Sequence, residues 1–121
     1  MKVIIDLIED IRESIANAEE YILTAGLLKE DPQNENKLIY AGEAPLNVTD
    51  LDKVRKQLIF KIDGSDTKVT VGEIIPPLLI ADMDMMMFEL RMDVNAQYKN
   101  MEIIGFGKND EEKRYILFIK I

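Results

Sequence analysis

The chain has 121 residues, with 15 Lys and Arg against 23 Asp and Glu, a formal net charge of −8, and neither cysteine nor histidine. A chain of this length can bury a core without staples, and the missing residue types exclude disulfides, thiolate nucleophiles, Cys/His metal centres and a Ser-His-Asp triad. The acidic surplus runs through both halves, so neither nucleic acid nor an anionic membrane is an expected partner.

From the start of the chain, Ile4, Ile8, Ile11, Ile15, Ala18, Ile22 and Ala25 recur three or four residues apart. This spacing predicts one long amphipathic helix over about residues 2–25, with Asp6, Glu9, Asp10 and Glu13 on its outer face. The early acids interrupt the apolar stretch that a secretory signal requires, and no run reaches the roughly 20 apolar residues of a membrane span. A cytoplasmic location is therefore expected. In that setting the glycosylation triplet Asn47-Val48-Thr49 carries little meaning.

Residues 29–37 contain no apolar side chain and include Pro32, which predicts a solvated loop. Leu38-Ile39-Tyr40 reads as a short strand ended by Gly42 and Pro45. Thr49-Asp50-Leu51-Asp52 predicts the capped start of a short helix running through Lys56. Leu58 to Ile62 and Lys68 to Val71 flank Asp63-Gly64, a hairpin signal. Pro76-Pro77 predicts a turn-like joint, with a helix from Leu78 to about Met86 beyond it. Phe88, Leu90, Met92 and Val94 then alternate with polar residues as in a strand. Met101 to Phe106 and Tyr115 to Ile119 enclose a polar turn and predict a second hairpin. The last strand is apolar on both faces, so it belongs inside a sheet or at a subunit interface.

These elements predict one domain over residues 1–121, comprising the helix at about 2–25, the loop at 29–37 and a mixed body at 38–121. The expected class is α+β, with the long helix and a second, shorter one packed on an antiparallel sheet of four to six strands built from hairpins.

Several motifs invite chemistry and fail on spacing. Gly105-Phe106-Gly107 follows a strand but lacks the third glycine and helix of a dinucleotide site, and runs into Asp110-Glu111-Glu112. Asp82 and Asp84 match no metal-ligand spacing, so no metal and no cofactor are expected. The methionines between Met83 and Met101 suit core filling or an adaptable partner groove better than copper.

The expected partner is therefore another polypeptide, a second copy included. The candidate surfaces are Ile8, Ile11 and Ile15 on the helix stripe, Met85, Met86 and Met87 in the methionine segment, and Tyr115, Leu117 and Ile119 in the last strand. These features point to a non-enzymatic protein-binding domain: an acidic adaptor, chaperone-like or regulatory protein that forms homodimers. Two other readings stay open. One is a small-molecule binder or enzyme with a helix/sheet pocket and a base such as Asp82 or Glu89; the other is a structural component of an assembly.

Overall fold

The computed structural model describes residues 1–121. Helix α1 spans Ile4–Ser14 and is followed by a 3-10 turn at Ala18–Glu20. Strands β1 (Ile22–Asp31), β2 (Asn34–Pro45), β3 (Val48–Asp52) and β4 (Gln57–Lys61) come next. Helix α2 (Val71–Leu79) and a 3-10 turn at Met83–Met87 then lead to β5 (Glu89–Asp93), β6 (Met101–Asn109) and β7 (Arg114–Lys120). All seven strands share one sheet in the order β2-β1-β7-β6-β5-β4-β3, with β1 parallel to β7 and β4 parallel to β5.

The two edge strands are joined only by Leu46 and Asn47. Laid flat, seven strands would place their edges about 29 Å apart, whereas the three Cα steps from Pro45 to Val48 reach at most about 11 Å. The sheet must therefore curl until its edges meet. At the meeting point Leu46 N donates to Leu23 O of β1 (3.0 Å) and Asn47 N donates to Lys61 O of β4 (3.0 Å). Thus β2 and β3 form one long bent strand, serving β1 with its first part and β4 with its second. Val69 spans the join, donating to Leu46 O (3.1 Å) and accepting from Leu23 N (2.8 Å).

The curl has a concave face that holds the core. Leu23, Leu58, Phe60, Leu90, Met92, Ile103, Leu117 and Ile119 point inward and meet Ile4, Leu7, Ile8 and Ile11 of α1. Tyr115 is fully buried there and donates its hydroxyl to Asp10 Oδ2 (2.5 Å), tying β7 to the helix. The convex face has no helical cover. Its centre is closed by Phe118, whose ring lies between two glycines of the flanking strands. A Cβ on Gly26 would stand 2.5 Å from that ring, and one on Gly107 2.7 Å from it.

Several sequence expectations need correction. The first helix is 11 residues long rather than spanning 2–25. Its apolar spacing continues past Ser14, but Leu23, Ala25 and Leu27 in the same segment also alternate with period two. Pairing with both β2 and β7 satisfies that second pattern, and such tertiary pairing overrides a local helical repeat. The sheet has seven strands, not four to six, and is mixed rather than antiparallel. Its β4-α2-β5 segment is a parallel crossover of the kind that hairpin signals alone do not reveal. The molecule is mostly sheet.

Residues 29–37 form the arms and tip of the β1-β2 hairpin, polar because they project beyond the core. Thr49 to Lys56 is strand β3 plus a tight turn, in which Asp52 Oδ1 accepts from Val54 N and Arg55 N and Lys56 adopts φ 58°. Lys68 to Val71 pairs with β1 and Leu46 instead of β4. Pro76 and Pro77 lie inside α2, whose start is capped by Glu73 Oε2 accepting from Thr70 N (3.1 Å).

The asparagine of the glycosylation triplet has a structural task at the join. Asn47 is buried; its Nδ2 donates to Ser65 O (3.1 Å) and to Thr67 O, and its Oδ1 accepts from Asp63 N (3.0 Å). Asn47→Ala strands three backbone partners, with an expected loss of about 2–4 kcal/mol in urea unfolding. Asn47→Asp is expected to be no better, since a carboxylate would face two carbonyls. Full stability in either variant would remove Asn47 from the closure. For the convex face, Gly26→Ala is expected to destabilise by about 1–3 kcal/mol, because a ring pushed away from residue 26 moves towards Gly107. Truncating the ring with Phe118→Leu should recover most of that loss in a double-mutant cycle.

Candidate functional site

At one end of the curled sheet, two connections run side by side. The β3-β4 turn supplies Lys53, Val54, Arg55 and Lys56, and the segment after α2 supplies Ile80 through Met87. Lys56 O accepts from Glu89 N (3.0 Å), which holds the turn against the start of β5. Between the two lies a cleft of about 650 Å³ lined by Lys53 and Lys56 on one wall and by Asp82, Met83, Asp84, Met85, Met87 and Phe88 on the other.

Apolar side chains around this cleft face solvent. Ile80 is 90% exposed, Met83 84%, Met87 66% and Val54 95%. Isolated apolar residues at a surface need no explanation, whereas a group at one end of the molecule calls for one. The local cause is helix geometry. Leu78-Leu79-Ile80 are consecutive in sequence, and a helix with one buried face cannot bury three successive residues. Leu78 turns inward while Leu79 and Ile80 turn out. Lys53, Lys56, Asp82 and Asp84 make no ion pair within 4.0 Å, either with each other or elsewhere in the chain.

The sequence-named surfaces fall in different places. Ile8, Ile11, Tyr115, Leu117 and Ile119 are buried in the core, and Ile15 packs half-buried against it. Strand β7 lies inside the sheet, which accounts for its apolarity on both faces. Met85 and Met86 also pack against the core, while Met87 opens onto the cleft. Leu79, Ile80, Val54 and the two lysines were not singled out from sequence. The legible signal for them was the unbroken run Leu78-Leu79-Ile80 followed by an acidic, methionine-rich stretch.

Elsewhere the polar groups are already engaged. On the convex face, Glu43 accepts from Thr24 Oγ1 and Tyr40 OH, both at 2.6 Å, and Arg114 Nε lies 3.2 Å from its Oε1. Thr24 is buried, and with Glu43, Lys68 and Arg114 it lines a small pocket of about 270 Å³. Glu89 accepts from Arg91 Nη1 (2.6 Å), and Arg91 Nε donates to Asn100 Oδ1 (2.7 Å). A polar cavity of about 740 Å³ opens below the end of α1. There Tyr21 OH donates to Asp110 Oδ1 (2.7 Å), and Lys108 Nζ donates to Ser14 O (2.7 Å). The Tyr21 bond, followed by Lys108, holds the Asp110 carboxyl below the usual carboxylate range. No three carboxylates converge as a metal site, and no helix is long and apolar enough to cross a membrane. No protein-family model, curated protein or solved structure matches the chain.

Three tyrosine hydroxyls bonded to carboxylates have raised pKa values, Tyr21 through its Asp110 bond and, more strongly, Tyr40 and Tyr115. Burial, followed by the Glu43 bond, pushes Tyr40 up to about 12, and burial followed by Asp10 pushes Tyr115 above its usual 10.0. Raised folded-state values mean that the neutral phenols contribute stability fully below pH 10, and that this contribution is lost as pH rises. Thermal unfolding midpoints followed from neutral pH to about pH 12 should fall above pH 10. Tyr40→Phe and Tyr115→Phe should each flatten that fall. Tyr115→Phe should also lower neutral-pH stability by about 1–3 kcal/mol, by removing a buried bond to a carboxylate. An alkaline slope identical in all three proteins would show that these bonds carry no linkage.

Proposed function

We propose that this chain is a protein-binding domain that works by docking rather than by chemistry, and that its docking surface is the ridge of Leu79, Ile80, Met83 and Met87 beside the Lys53–Lys56 turn. The observation that carries the reading is the strong exposure of Ile80, Met83 and Met87 within one short segment, whereas other exposed large apolar residues such as Leu38, Tyr40, Val48 and Ile104 are spread over β2, β3 and β6. Methionine suits such a surface, because an unbranched, polarisable side chain adapts to varied partners. The engagement of Glu43, Glu89 and Asp110 with tyrosine or arginine partners inside the chain also favours docking over acid-base catalysis.

The test is Ile80→Ser/Met83→Ser/Met87→Ser. All three side chains are exposed, so folding should change by less than about 0.5 kcal/mol per site. Tagged wild-type protein recovered under native conditions is expected to retain a stoichiometric polypeptide, a second copy of itself included. The triple variant should retain it at least tenfold less well. Equal retention by both proteins would show that the ridge is not the docking surface.

A further inference from the structure

Resting on that reading of the ridge, the charges around the cleft point to a particular occupant. One wall carries Lys53 and Lys56 and the other carries Asp82 and Asp84, with Met85, Met87 and Phe88 between them. All four charged residues are exposed, and none makes an ion pair within its own chain.

We infer that the cleft is an isologous interface with a second copy of this chain, in which Lys53 and Lys56 of each copy meet Asp82 and Asp84 of the other. A twofold axis running along the cleft exchanges its two walls, so each basic wall faces an acidic one while the Met83 and Met87 side chains are enclosed between them. Self-complementarity of this kind is what closed twofold pairing requires.

The overall charge favours the same end of the molecule. At −8 per chain, two copies repel each other wherever acidic surfaces meet, such as the outer face of α1 or the Asp110–Glu112 turn. Along the cleft the two lysines balance the two aspartates, so approach is least opposed there. Exposed ion pairs contribute little affinity individually, about 0.2–1 kcal/mol each. Their effect is to set the register and exclude the other alignment, while the apolar ridge supplies the binding.

The experiment is a charge exchange read by light scattering on a dilution series at low ionic strength. Wild-type protein is expected at twice the chain mass, and added salt should shift it towards monomer. Lys53→Glu/Lys56→Glu leaves only acidic walls and Asp82→Lys/Asp84→Lys only basic ones, so each variant alone should self-associate at least tenfold more weakly. An equimolar mixture of the two should recover the dimeric mass, because every wall again meets its opposite. Circular dichroism confirms that both variants stay folded. A wild-type monomer up to about 100 µM, a dimer indifferent to both variants, or a mixture that stays monomeric would each overturn the inference. Should wild type prove monomeric while the serine variant still loses a different bound polypeptide, the docking surface stands and only its occupant was misassigned.

Discussion

The structure hangs on the two-residue join between β2 and β3. Because Leu46 and Asn47 must serve both edges of a seven-stranded sheet, the sheet cannot lie open, and its curvature follows from chain connectivity. Curvature in turn creates an enclosed concave face, and a short helix is enough to fill it. Four residues of α1 pack on the inward residues of β1, β4, β5, β6 and β7 to form most of the core. A flat sheet of this width would have needed helices along its whole face.

The same closure explains how the polar contacts are divided. Inside the curl a polar group survives only with a partner, as Tyr115 has in Asp10 and Asn47 has in three backbone groups of the 63–67 loop. Outside, where no helix packs, the sheet is covered by its own long side chains. Phe118 lies over the glycines of its neighbours, and the Glu43 and Arg91 networks spread across adjacent strands.

The cleft end differs because two connections terminate there. The crossover from β4 to β5 has to pass over the concave side, and α2 does so with Val71 and Leu78 turned inward. The crossover must then drop back to the start of β5, and its methionines divide during that descent. Met85 and Met86 reach the core, whereas Met83 and Met87 stay outside. With the β3-β4 turn held close by the Lys56–Glu89 bond, the exposed half becomes one wall of a cleft rather than an isolated ridge.

Elements whose partners lie close in sequence were legible before the structure. The β6-β7 hairpin, the alternation of β5 and the inward stripe Ile4, Ile8 and Ile11 each show their period within a dozen residues. The ambiguity began at Ile22, where a helical and a strand period coexist, and only pairing with β7, some 90 residues away, chose between them. Both parallel pairs, the curl and the role of Asn47 likewise depend on contacts between distant segments, which no local pattern encodes. For the site, the sequence showed that methionines were concentrated between Met83 and Met101. Which side chains of residues 78–87 face water was decided by the direction in which α2 crosses the sheet, because that crossing turns Leu78 inward and leaves Ile80 exposed. The placement of Lys53 and Lys56 opposite Asp82 and Asp84 was decided only by tertiary structure, since the parallel pairing of β4 with β5 brings together two connections that lie about 30 residues apart in the chain.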